Sequence, residues 1–397
     1  MRVLFLTHRL PYAPNRGDRL RAFHMLRTVA PRVEMDVFSL VHDAEEASHA
    51  RELEAHVASL TTAFVPKLRN HVRAAVLLAG SQPLTHALLD SPAARPSLQR
   101  IVRERRPDVV LAFCSGMARF ALAPPLDRYP YVLDMVDVDS RKWDDLSRAS
   151  SPPGRWIYAR EARTLARFEA YAACRARSTL VVNDRERALL AALAPGARLR
   201  VVPNGIDLSY FRPPGPPAQE AGIVFCGVMN YAPNEAAALW LAREVWPLVR
   251  ARHPGAHLTL VGSHPTGAIR RLAAGDPSIE VTGTVPDVRP YLWRSAVSAA
   301  PLLISRGVQN KVIEAIAAGL PVVITPAVSE GLPGEVMPAC RVAGSAEAFA
   351  EALLRFLDAG PAERRAAAGA ANLTALAWSD RLAPLTEILS DAARCGS

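Results

Sequence analysis

Residues 305–325 read SRGVQNKVIEAIAAGLPVVIT, with Lys311 three residues ahead of Glu314 at the start of an expected helix. The chain has 47 basic residues, and only Lys67, Lys142 and Lys311 are lysines. A polar loop runs into the helix, Gly319 stops it and Pro321 opens a strand. A helix N-terminus offers unpaired N–H groups and a partial positive charge. With Arg306, Asn310 and Lys311 beside it, that end is a candidate diphosphate site: an ammonium serves as a point charge, and a guanidinium forks a pair of oxygens. Glu314, one turn on, has a carboxylate able to accept both hydroxyls of a ribose. The plain alternative for Lys311 and Glu314 is an exposed i,i+3 pair worth a few tenths of a kcal/mol.

Three further junctions carry candidate chemistry. In FCGVMNYAPNEAAALW (225–240), a strand ends at Gly227 and a helix opens near Pro233, with Asn234 in its first turn. In PYAPNRGDRLRAF (11–23), Gly17 permits close approach of a ligand to the backbone, with Arg16, Asp18, Arg19 and Arg21 crowded around it. Asp18 reads equally well as a helix N-cap. In LDMVDVDSRKWDD (133–145), Asp137, Asp139 and Arg141 follow a buried strand. Clustered acids resemble a metal site, but no His accompanies them, and no metal is expected. None of the junctions is G-x-G-x-x-G, which argues against a nicotinamide-dependent oxidoreductase.

The elements that position these residues alternate. Short apolar runs at 2–7, 33–40, 108–113, 131–137 and 178–183 are separated by helical patterns, including 18–29, 45–60 and 155–175. After PPGPP (213–217) the alternation restarts at 222–227, 257–262, 279–283, 297–303 and 321–325. Such a pattern predicts two doubly wound α/β domains with parallel sheets, joined by a proline-rich linker. The expected bounds are 1–212, a linker at 213–221, 222–375, and a helical tail at 376–397 packing back on the first domain. Ligands of such sheets bind beyond the carboxyl ends of the strands, and two facing domains hold a ligand in the cleft between them.

Half of the 397 residues are hydrophobic, so the chain is globular. The longest apolar run near the front, AAVLLAG (74–80), is too short to cross a membrane. The N-terminus reads as a first strand rather than a signal peptide. The five scattered cysteines include no C-x-x-C pair and read as free thiols in a reducing compartment. Residues 1–205 hold 31 Arg+Lys against 21 Asp+Glu, a net of +10; the remainder holds 16 against 17, a net of −1. This asymmetry points to an anionic partner for the first half or, equally, to an arginine-rich surface of no particular purpose. Few aromatics and no stacking platform count against nucleic acid.

The ordered set of motifs resembles glycosyltransferase family 4, enzymes of the GT-B fold that move a sugar from a nucleotide-sugar with retention. VVPNGIDLSYF (201–211), VFCGVMNYAPNEAAALWLAREVWP, VTGTVPDVRPYL (281–292) and KVIEAIAAGLPVV carry the match along nearly the whole chain. LPYAPNRGDRLRAFHMLR, DVDSRKW and RGVQNKVIEAIAAG resemble, more narrowly, a bacterial subgroup that accompanies exopolysaccharide and PEP-CTERM/exosortase loci. The resemblance implies that Glu314 holds the donor ribose, Lys311 faces the diphosphate, and Val285 lies against the base through its backbone. It also implies that Gly17 lets the first domain touch the donor phosphate, and that Asp137 is a polar group on the acceptor side, with Arg16, Asp18 and Arg141. The family's first E-x7-E glutamate falls on Arg306, and its basic residues after the second-domain glycine are replaced by Asn230 and Asn234. A cytoplasmic, metal-independent transferase with a lipid-linked or polysaccharide acceptor, at an anionic membrane surface, is the reading these residues imply. A nucleotide-sugar 2-epimerase of the same fold and a non-catalytic carbohydrate- or nucleic-acid-binding protein are the alternatives.

Overall fold

The computed structural model describes residues 1–12, 17–215, 222–305 and 308–394, with the backbone alone for Gly17, Asp18 and Ala149. Contacts divide the chain into two units, Met1–Gly205 with Trp378–Ser397, and Ile206–Ala377.

Among the described residues the first unit has a seven-stranded parallel sheet. Its strands are β1 (Arg2–Thr7), β2 (Glu34–Val41), β3 (Ser59–Phe64), β4 (Val109–Phe113), β5 (Tyr131–Val136), β6 (Ser178–Val181) and β7 (Leu199–Val201), in the order β3-β2-β1-β4-β5-β6-β7. The second unit has six parallel strands: β8 (Gly222–Cys226), β9 (His257–Val261), β10 (Ile279–Gly283), β11 (Val297–Ala300), β12 (Val322–Ile324) and β13 (Cys340–Val342), in the order β10-β9-β8-β11-β12-β13. Each order reverses direction once, at β1/β4 and at β8/β11, which is the doubly wound α/β arrangement. β4 and β12 are buried throughout because helices cover both faces, and their sequences are accordingly unbroken apolar runs.

Strands β3, β7 and β13 are absent from the pattern read off the sequence, and all three stand at sheet edges. An edge strand meets solvent along one side, so its residues alternate weakly or not at all; β7 has no fully buried residue. The helix expected over 45–60 is instead two short helices, Ala44–Ser48 and Ala50–Glu54, followed by β3.

The expected break at 212 moves to Gly205/Ile206. The Ile206 N–H donates to Leu376 O at 2.8 Å, Ile206 bridges Ala377, and Phe211 is buried in the second core. Pro213 lies against Gly319, and Arg365 donates to Gly215 O at 3.1 Å, so the described start of the proline-rich segment belongs to the second unit. The tail is not one helix: Pro361–Gly369 precedes a short turn, and Pro384 opens a separate helix, Pro384–Arg394. Trp378, Leu382, Leu385, Ile388 and Leu389 are buried beside Val3, Phe5 and Leu111, so this last helix completes the first unit's core.

Leu389 is fully buried there. Leu389→Ala should cost about 2–5 kcal/mol of unfolding free energy in urea titration. A change within about 0.5 kcal/mol, the size of a surface substitution, would mean that the helix is not part of the cooperative core.

Candidate functional site

The second unit brings two of the sequence junctions to one point. The helix Asn310–Ala317 starts beyond β11, and β8 ends at Cys226 with Gly227 next in line. Lys311 Nζ donates to Asn234 Oδ1 at 2.6 Å and lies 4.8 Å from the centre of the Phe225 ring. Asn234 is buried, and its amide nitrogen donates to Val228 O at 3.0 Å. The side chain of Asn234 therefore ties the loop after β8 to the lysine, and it positions Lys311 rather than standing free for a ligand. A Cβ on Gly227 would stand 2.9 Å from Asn234 Nδ2 and 3.2 Å from Lys311 Nζ, so a side chain at 227 would have to displace that pair.

That loop is held in turn by its neighbour. Gly227 N–H donates to Val261 O at 3.0 Å, and Met229 N–H to Ser263 O at 2.8 Å. Gly262 has φ +150°, and a Cβ there would stand 1.7 Å from Gly227 O. Only glycine permits this approach.

Burial dominates the electrostatics. Loss of hydration pulls the Lys311 ammonium down to about 8, against the opposing pull of Cys226 and Glu314. Burial pushes Glu314 above the ordinary carboxylate range, and Lys311 opposes it. Burial also pushes the Cys226 thiol up to about 12. Lys311 thus holds a positive charge at neutral pH with one of its three donors directed at a neutral amide. Asn310, the first residue of the helix, is exposed. Arg306 lies outside the described residues.

A cavity of about 360 Å³ opens at the carboxyl ends of β9 and β10, lined by His264, Arg270, Thr282, Gly283 and Thr284. Val285 follows directly and packs partly buried on the core. Its loop is braced by Arg289, which pairs with Asp287 at 2.6 Å, donates to Tyr210 O at 3.0 Å and covers the Tyr210 ring.

In the first unit, Gly17 is the first residue of the helix Gly17–Val29, and Arg16 lies outside the described residues. Arg19 and Arg21, expected to crowd the Gly17 loop, are buried. Arg19 donates to the Tyr12 hydroxyl and pairs with Glu46 at 3.4 Å. Arg21 grips Asp134 through two nitrogens, each at 2.9 Å, and donates to Asn204 Oδ1 at 3.0 Å. Val136, with φ +65°, turns the chain at the end of β5 so that Asp137 is exposed. The protein around Asp137 raises its carboxyl, lost hydration first and Glu186 second, with Arg21 and Lys142 opposing. Arg141 is exposed and 4.0 Å from Asp144. Among the described residues no group of three or more His, Cys, Asp or Glu is placed to hold a metal.

Residues 22–210 match the model of Glycosyltransferase Family 4, and residues 220–359 match that of Glycosyl transferases group 1. The chain is a group 1/family 4 glycosyltransferase of the GT-B type. No curated protein sequence matches it. Among solved structures it is similar to sucrose-phosphate synthase from Thermosynechococcus elongatus, at 17% identity and TM-score 0.63, covering 100% of this chain and 97% of that one. It is similar to Anabaena Alr3699/HepE in complex with UDP, at 15% identity and TM-score 0.64, covering 98% and 100%. A third is the alpha,alpha-trehalose 6-phosphate synthase of Burkholderia multivorans, at 14% identity and TM-score 0.61, covering 100% of both chains. At these identities the likeness is one of fold.

In this glycosyltransferase Gly227, Asn234, Lys311 and Glu314 gather at one place, while Val285 borders a separate cavity of the same unit. Gly262 and His264 escaped the sequence reading. The signal for Gly262 was present as LVGSHP at a strand end, whereas the positive φ of His264 leaves no trace in sequence. A larger cavity of about 680 Å³ in the first unit, lined by Arg73, Arg95, Arg119, Arg167 and Tyr171, was also unforeseen. There Arg119 is half-buried and donates to His86 O and to Leu89 O.

A half-buried ammonium with a lowered pKa makes the folded state harder to hold below about pH 8, and that penalty fades as pH rises from there towards the free-lysine value. Lys311→Met keeps the volume and removes the charge. It should stabilise the glycosyltransferase by about 1–3 kcal/mol at pH 7, read as a raised thermal midpoint. A lowered midpoint would show that Lys311 is there for stability.

Proposed function

We propose that the chain is a retaining hexosyltransferase that carries a sugar from a nucleotide-sugar to a lipid-linked or polysaccharide acceptor in bacterial exopolysaccharide synthesis. The observation that carries the donor half of this reading is the Lys311 ammonium, half-buried at the start of a helix and held by Asn234 beneath Gly227. Lys311 and the helix N–H groups meet the charge on the departing diphosphate, with no need of a metal. Glu314 accepts the ribose hydroxyls, and the base enters the cavity beside Val285. The neighbouring Alr3699/HepE structures hold UDP and UDP-glucose, which supports a uridine donor as the first to try.

The C1–O bond to the diphosphate breaks as a C1–O bond to the acceptor hydroxyl forms on the same face, and the hydroxyl's proton passes to the departing diphosphate oxygen. On this reading Asp137, exposed and with a raised carboxyl, stands on the acceptor side with Arg16, Asp18 and Arg141. The subgroup resemblance of DVDSRKW and RGVQNKVIEAIAAG supports the exopolysaccharide setting and action at the cytoplasmic face of a membrane. No helix among the described residues is long and apolar enough to cross one.

A thermal-shift panel of UDP-, GDP- and ADP-sugars tests the reading: one of them, at about 100 times its Kd, should stabilise the chain by about 2.7 kcal/mol. Release of nucleoside diphosphate that depends on added acceptor should accompany it. Acceptor-free isomerisation of the sugar would replace the transferase by an epimerase, and no shift with any nucleotide-sugar would end both. Glu314→Gln keeps one acceptor for the ribose and should weaken donor binding less than Glu314→Ala; equal losses would remove the ribose role.

The binding form of Lys311 is the ammonium. Below about pH 8 it is already present, and above that Lys311 must take up a proton for each diphosphate that binds. Nucleoside diphosphate affinity should therefore fall about tenfold per pH unit above 8. In Lys311→Met it should be weak and flat over the same range, as followed by calorimetry.

A further inference from the structure

The helix Lys67–Val76 is inside out. Its inward face presents Asn70 and Ala74, and its outward face presents Leu68, Val72 and Val76, which are 82%, 61% and 76% exposed. These three recur at i, i+4 and i+8 and form one stripe along the helix. Asn70 fixes the orientation: its amide donates to Leu88 O at 3.1 Å and to Asp90 O at 2.7 Å. The helix therefore cannot roll its apolar stripe inward without breaking two hydrogen bonds of a buried side chain. Phe64 ahead of it and Leu78 behind it are exposed as well.

The charge around the stripe is predominantly positive. At helical spacing Lys67 and His71 border one side of it and Arg69 and Arg73 the other. From Ala55 to Leu89 the sequence has no Asp or Glu. The acid that meets this helix is Asp90, which pairs with Arg73 and lies 3.7 Å from Arg69. Arg160 holds the segment that follows, donating to Leu77 O at 2.8 Å and to Gly80 O at 2.6 Å.

We infer that this face is where the protein docks on an anionic lipid surface, with Leu68, Val72 and Val76 entering the acyl boundary and the flanking cations meeting the headgroups. An apolar stripe edged on both sides by Lys and Arg suits a helix lying in the interface plane. A second copy on the same face would set cation against cation across a two-fold axis, which disfavours self-association. The inference rests on the membrane setting of the proposed function and deepens it, assigning to that contact a surface of the first unit that the donor chemistry does not use.

Full-length protein is sedimented with vesicles of phosphatidylcholine alone, or of equal parts phosphatidylcholine and phosphatidylglycerol. Wild type should bind the anionic vesicles and hardly the neutral ones, with binding reduced as salt rises. The combined variant Leu68→Ser, Val72→Ser, Val76→Ser should partition roughly a hundredfold more weakly. Its thermal midpoint should not fall, because the replaced side chains leave water in neither state. Lys67→Glu with Arg69→Glu should abolish the preference for anionic lipid. Serine variants that bind as wild type, or wild type that does not bind, would overturn the inference. So would a wild-type dimer in light scattering that the serine variants dissociate, since the occupant would then be a second copy. Nucleotide-sugar binding is read on the same samples: its loss with vesicle binding intact would count against the transferase reading alone, and the reverse against docking alone.

Discussion

A half-buried lysine ammonium held by one amide carbonyl is the constraint around which the strand-end loops of the second unit are arranged. Taking such a charge from water is expensive, and a single neutral partner returns little of that expense. The surroundings are fixed accordingly. Gly227 is bare because a Cβ would strike both Asn234 and Lys311, and Gly262 is bare because Gly227 O fills the space its own Cβ would need. The same constraint explains a lysine in a chain that otherwise uses arginine. A guanidinium brings five donors in a fixed fork, and a site with one amide carbonyl and an aromatic face would leave most of them unmet. A compact ammonium leaves fewer donors unmet, and those suit an incoming anion.

How legible this was depended on burial. Central strands such as β4 are apolar along their whole length and announce themselves, whereas the edge strands β3, β7 and β13 lack the pattern because solvent covers part of each. Gly227, Asn234, Lys311 and Glu314 were all visible as types at strand–helix junctions. That Asn234 and Lys311, 77 residues apart, touch is a matter of sheet order: β8 and β11 are neighbours only because the winding reverses there. Sequence erred where it counted arginines as surface charge. Arg21 and Arg19 are internal braces, and Arg119 and Arg160 serve backbone carbonyls, so part of the positive excess of the first half is structural.

Strain collects where the strands end. Among the described non-glycine residues with positive φ, Cys114, Val136 and His264 follow or close β4, β5 and β9 at their carboxyl ends. For a β-branched residue such as Val136 this conformation is an outlier that the surroundings must impose. The imposing group is identifiable. Asp134 is clamped by Arg21 and accepts the Val136 N–H at 3.1 Å, and the pairing of β5 with β6 slips between Asp134 and Val136. The clamp kinks the strand end, and the kink turns Asp137 outward. A brace between a helix and a strand thereby sets the position of an acidic group at the end of the sheet where ligands of such folds gather.

Two departures from ordinary burial remain, and they are opposite in kind. Lys311 is a half-buried cation that has lost much of its hydration, and Leu68, Val72 and Val76 are large apolar side chains outside. Charged residues are rarely buried without a full set of partners, and a contiguous apolar stripe rarely faces water without a purpose. Neither departure helps the isolated chain to fold. On the two readings proposed above, an anion would relieve the first and an apolar phase the second. A sequence selected for stability alone would hold a neutral side chain at 311 and polar ones at 68, 72 and 76. Retaining the opposite at both places makes stability depend on what is bound, and binding partners of those two chemistries would add to it by mass action.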